Sequence, residues 1–263
     1  GIALELGWSR RSDDLGWQAP VSSDEYLLWV VLDASLGGTG FTTQYETDEF
    51  PGGYPVVYLN SGSADNPNFF HALAQHEFHH AIQYGYRREY SSGPDEAWYW
   101  EASANWAPYL VDQDSTAFDY TSAWYADVSE LKYSSTEGSH QYGMFVLNSY
   151  LDEVVGAGTL LGIWSASGDG DEWLDVIETG TGQKREEVWG KFASNYGRRM
   201  LANSDEWARV QTTRAEQGAP GTAGELGTVY YQLESGQERW LSLNMIEGEA
   251  VLSGAFGVGG EGV

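Results

Sequence analysis

His76, Glu77 and His80 stand in the order His-Glu-x-x-His, a spacing with definite chemical consequences. On a helix, residues four apart share a face, so His76 and His80 can offer two imidazole nitrogens to one metal ion. Glu77 then falls beside the coordination position left open for water, where a carboxylate can take up a proton. A catalytic zinc takes three protein ligands. The third candidate is Glu101, in Trp100-Glu101-Ala102-Ser103-Ala104-Asn105-Trp106. Two antiparallel helices joined by a loop of roughly ten residues can bring it face to face with the histidines. Asn105 lies one helical turn beyond Glu101 and can hydrogen-bond the second nitrogen of a liganding histidine. Blander readings stand beside these. The histidines can be a buried, satisfied pair, Glu101 a helix-surface carboxylate, and Asn105 a packing residue. A closed structural zinc site is disfavoured, because three ligands leave a position open and the chain has no cysteine to fill it.

The elements that would carry these residues are punctuated in the sequence. Asn66 can cap a helix and Pro67 suits its first position, so a helix is predicted from there to about Tyr84, ahead of Gly85. A second helix starts near Pro94 and should end by Pro108. Upstream, residues 1–25 read as surface loop or short strands, and the apolar run 26–32 predicts a buried strand. The glycines at 37, 38 and 40 break it, and residues 41–50 read as a polar loop with aromatics. A second strand is predicted at 54–60, pushed towards a sheet edge by Pro55. Helices are expected near 139–155, 158–166, 171–179 and 184–202. Residues 218–224 read as a linker that divides a domain at 1–217 from a β-module at 218–263, with strands near 229–233 and 240–244. The turn Asp169-Gly170-Asp171-Glu172 is a candidate for Ca2+, although it lacks the full spaced loop of an EF-hand and reads as readily as an acidic helix cap.

Composition removes several classes of partner. A formal net charge of −26 over 263 residues repels nucleic acid and anionic lipid. No run of 18 apolar residues occurs, so no membrane span is expected. The absence of cysteine excludes disulfides, thiolate ligands and a cysteine nucleophile. Residues 1–11 lack the basic-then-apolar order of a signal peptide, which leaves a cytosolic protein or one whose export signal has been removed.

Three blocks also carry a resemblance. His76-Glu77-Phe78-His79-His80-Ala81-Ile82-Gln83-Tyr84-Gly85-Tyr86, Trp98 to Trp106, and His140-Gln141-Tyr142-Gly143 resemble the gluzincin metallopeptidases. They look more closely like a bacterial family of secreted metalloproteases, over roughly residues 20–205. The resemblance implies an α+β, zincin-like fold: a small N-terminal sheet with the active-site helix, a mainly helical lobe, then a short C-terminal β segment. It implies Zn2+ held by His76, His80 and Glu101, with Glu77 as base and Tyr142, ahead of His140, steadying the oxyanion. A polypeptide substrate would pair with an edge strand, by analogy residues 54–60. The expected activity is that of an endopeptidase, and the expected location is secreted or cell-surface. An aminopeptidase and a catalytically silent binding module on the same scaffold are the alternatives. One departure is visible: Asn105 stands where thermolysin-like members often have Asp.

Overall fold

The computed structural model describes residues 2–48, 53–87, 94–111, 134–136, 139–185, 187–189, 191–192, 228–234, 237–246 and 249–256. The chain opens helically. Helix α1 (Ile2–Trp8) runs into a wide helical turn at Ser9–Asp14, in place of the loop or strands expected over 1–25. The reason is tertiary. Gly7 packs directly on Gln75 and Phe78, and the fully buried Arg11 donates to the Gln75 carbonyl at 3.1 Å and to the Gly7 carbonyl at 3.3 Å. These contacts with a later helix hold a segment whose own periodicity is weak.

Strands β1 (Trp29–Leu32), β2 (Gly40–Tyr45) and β3 (Tyr54–Leu59) form one sheet in the order β1-β3-β2. β3 is therefore central, parallel to β1 and antiparallel to β2, and not the edge strand expected at 54–60. Pro55 is tolerated because the β1 ladder begins one residue later, at Trp29 opposite Val56, so on that side no N–H is missed. β2 occupies the segment expected to be loop. β1 is an edge, and its apolar residues are not core: Trp29 is 62% exposed and Leu32 61%. Side chains alternate across the sheet. Val57 and Leu59 enter the core, while Phe41, Tyr45, Tyr54, Tyr58 and Trp29 share the other, uncharged face.

Beneath the core face lies α2 (Pro67–Gln83), with Pro67 at its first turn and the Asn66 side chain accepting from Phe69 N at 3.2 Å. Its start and end agree with the sequence reading. Helix α3 (Pro94–Val111) packs against it and continues through Pro108, contrary to the expected stop. That proline removes only the bond to the Ala104 carbonyl, close to the helix end. The predicted span 139–155 is broken into α4 (His140–Gly143), α5 (Phe145–Tyr150) and a wide turn at Leu151–Val155. Helices α6 (Thr159–Ala166) and α7 (Trp173–Thr181) follow as expected, and the described residues from 185 to 192 are helical. Most of the helix expected at 184–202, and the linker at 218–224, fall outside the described residues. The end of the chain forms an antiparallel meander, β4 (Thr228–Glu234), β5 (Gln237–Ile246) and β6 (Glu249–Phe256), the last not expected.

The architecture is thus α+β: a small three-stranded sheet and a largely helical body. Trp98, Trp100, Trp164 and Trp173 are essentially fully buried where α2, α3, α6 and α7 meet, so these aromatics fill the core. No helix among the described residues is long and apolar enough to cross a membrane.

Candidate metal centre

Helical spacing stacks His76 and His80 on the α3-facing side of α2, and the antiparallel partner supplies Glu101. The His76 and His80 Nε2 atoms lie 3.0 Å apart. Glu101 Oε2 is 3.2 Å from the first and 3.5 Å from the second. Among the described residues this is the one group of three His, Cys, Asp or Glu side chains that could hold a metal ion. The calcium candidate at Asp169–Glu172 forms no such group. Asp171 instead accepts from the Gly168 N–H at 2.8 Å, closing its own turn.

The far side of each imidazole is committed. His76 Nδ1 meets Asn105 Oδ1 at 2.8 Å, and Asn105 Nδ2 donates to the Tyr142 carbonyl at 3.1 Å. His80 Nδ1 meets Gln83 Oε1 at 2.6 Å. Because both amide oxygens accept, each ring carries its proton on Nδ1 and turns the Nε2 lone pair inward. Two lone pairs and a carboxylate then face one another, side chains only 10–14% exposed. Such an arrangement calls for a shared cation.

Tetrahedral coordination with metal–ligand bonds of about 2.0–2.1 Å sets ligand atoms roughly 3.3–3.4 Å apart. The observed 3.0, 3.2 and 3.5 Å bracket that value. The donor set therefore fits a divalent ion such as zinc. Its electrostatics agree. Burial would lower the His80 pKa, but the charge and hydrogen bond of Glu101, with the Glu77 carboxylate and the Gln83 amide, together outweigh it and carry the group up to about 9. Burial would raise Glu101, yet the two histidines hold it well below the usual carboxylate range. Without a metal, a proton serves as the cation.

Glu77 is nearly buried and turns towards β2. Thr42 Oγ1 lies 2.9 Å from its Oε2 and 2.8 Å from its carbonyl oxygen. A Cβ on Gly40 would come within 3.1 Å of Glu77 Oε1, so glycine gives the carboxylate its room. Of the two oxyanion candidates, Tyr142 is brought to the group, its ring 6.2 Å from that of His76. His140 is fully buried. His79 is also buried, edge-on to Trp17 and Trp164, as a packing residue should be.

Sequence reasoning missed Gln83, Thr42 and Gly40. Only Gln83 had a usable signal, its position three residues after His80 on the same helix.

Residues 4–237 match a family described as a family of unknown function (DUF6055). The chain belongs to that family. The part of this DUF6055 chain that matches contains His76, Glu77, His80, Gln83, Glu101 and Asn105. No curated protein and no solved structure matches the chain.

Proposed function

We propose that the protein is a zinc-dependent peptidase of gluzincin type, secreted or displayed at the cell surface, cleaving internal peptide bonds. The observation that carries this reading is the convergence of His76 Nε2, His80 Nε2 and Glu101 Oε2, with every other nitrogen of the two rings already bonded. Three ligands leave a fourth position for water. A bound zinc supplies Lewis acidity there, bringing that water towards ionisation at neutral pH and polarising the substrate carbonyl.

The protein's own groups do the rest. Glu77 takes the proton of the attacking water and hands it to the departing amine, while the C–N bond breaks. Thr42 keeps the Glu77 side chain against β2. The nearness of the Tyr142 ring, 6.2 Å from that of His76, supports a role for its hydroxyl as hydrogen-bond donor to the oxyanion. β2, not 54–60, is the strand beside Glu77 that lies at the edge of the sheet among the described residues, so the substrate backbone would pair there. This layout, a sheet whose antiparallel edge strand overlies the His-Glu-x-x-His helix, also supports the zincin-like reading of the fold.

The test is cleavage of an unfolded protein such as casein, with chelator and with zinc restored. Zinc-dependent cleavage supports the reading, and cleavage indifferent to both removes it. A second reading has its own observation. The uncharged outer sheet face exposes Trp29, Phe41 and Tyr45, as suits a binding module that retains the metal but not turnover. Stoichiometric zinc with no cleavage of any unfolded chain would favour it. An aminopeptidase would instead show products shortened one residue at a time.

A further inference from the structure

We propose that Gln83 is the positioning residue for His80, and that with Asn105 it gives the centre two neutral amide supports, so that the site is built before the metal arrives and holds it less tightly than carboxylate supports would. The inference rests on the metal reading above and deepens it.

Gln83 is fully buried, so water cannot replace it. Its Nε2 donates to the Trp100 carbonyl at 3.0 Å and to Ser103 Oγ at 2.8 Å. Ser103 Oγ in turn donates to the Tyr99 carbonyl at 2.7 Å, which leaves its lone pairs free to accept. Both N–H donors are thereby spent on α3, and only the amide oxygen can face His80, 2.6 Å from Nδ1. One side chain therefore ties the ring of His80 to the backbone one residue before Glu101. The same amide thus touches His80 directly and holds the α3 backbone beside Glu101.

Asn105 performs the matching task for His76 and ties it to the Tyr142 carbonyl. Neither support carries charge. A carboxylate in either place would push electron density into the imidazole and strengthen it as a donor, whereas an amide orients the ring and adds little. The metal keeps more of its Lewis acidity and exchanges more readily.

The experiment measures zinc affinity by competition with a chromophoric chelator, together with the visible absorption of the Co2+-substituted protein. Outer-sphere partners of this kind are worth about 10–100-fold in metal affinity. Gln83→Met, which keeps the bulk and loses the acceptor, should weaken binding by that order and alter the cobalt spectrum. Gln83→Glu should restore wild-type affinity or exceed it, and Asn105→Asp should tighten binding about tenfold. If Gln83→Met does not fold, Ser103→Ala, which removes one anchor of the amide, should still weaken binding relative to wild type. Equal affinity across this set, in the folded fraction of each variant, would overturn the proposal while leaving the metal reading in place. A wild-type protein that binds no zinc would remove both.

Discussion

In the proposed reading the chemistry is concentrated in a few side chains, each with a separable task. Glu77 is not one of the three converging ligands, so Glu77→Gln should retain zinc while hydrolysis falls by at least about 100-fold. Metal analysis and casein cleavage on the same sample check both halves. His79 makes a different prediction. Burial, followed by the nearby Arg11, depresses its pKa well below the ordinary 6.5. The unfolded chain therefore binds that proton first, and folding stability is lost as the pH falls through 6.5, by up to about 1.4 kcal/mol per pH unit. His79→Phe should flatten that part of a urea-unfolding series between pH 7 and 5, relative to wild type. At this scale much was legible. His76, Glu77 and His80 follow from a spacing, and Glu101 and Asn105 from what a metal still needs. Gln83 escaped although its place three residues after His80 was a signal, because that spacing alone does not mark an amide as a partner of the ring. Thr42 escaped because nothing in Thr42-Thr43-Gln44 announces a carboxylate partner from another element.

The elements show where local sequence yields to packing. Asn66-Pro67 announces α2 to within a residue, because the cap and the fixed proline angle act locally. β2 was unreadable for the opposite reason. Its glycine and polar residues suit a loop, and it is a strand because β3 pairs with it and Glu77 needs a neighbour there. Gly40 is the point of closest approach. A Cβ there would meet the Tyr58 carbonyl oxygen at 2.9 Å as well as the Glu77 carboxylate. Gly40→Val should therefore destabilise the fold by about 1–3 kcal/mol in urea unfolding and displace Glu77. Turnover should fall further than zinc affinity. α1 was missed because Arg11 and Gly7 are held by residues of α2 far along the chain. β1 was misjudged because an apolar run says nothing of which strand lies at the edge.

For the whole molecule, punctuation and periodicity marked most of the helices and the resemblance implied the α+β class, whereas strand order could be read from neither. The core of buried tryptophans does not depend on the metal, so chelation should leave a folded protein of lower stability. Free zinc at a hundredfold excess over its Kd should add about 2.7 kcal/mol to the unfolding free energy, seen as a zinc-dependent rise in Tm that chelator reverses. The charge of −26 sets the surroundings in which this centre works, favouring cations over anions near the surface.

One measurement bears on the central claim more directly than the others: elemental analysis of the purified protein beside the His76→Ala and Glu101→Ala variants, with casein cleavage followed on each. The expected result is one zinc per wild-type chain, lost together with cleavage in both variants. A wild-type chain that cleaves casein without bound metal, or a Glu101→Ala variant that holds its zinc undiminished, would contradict it.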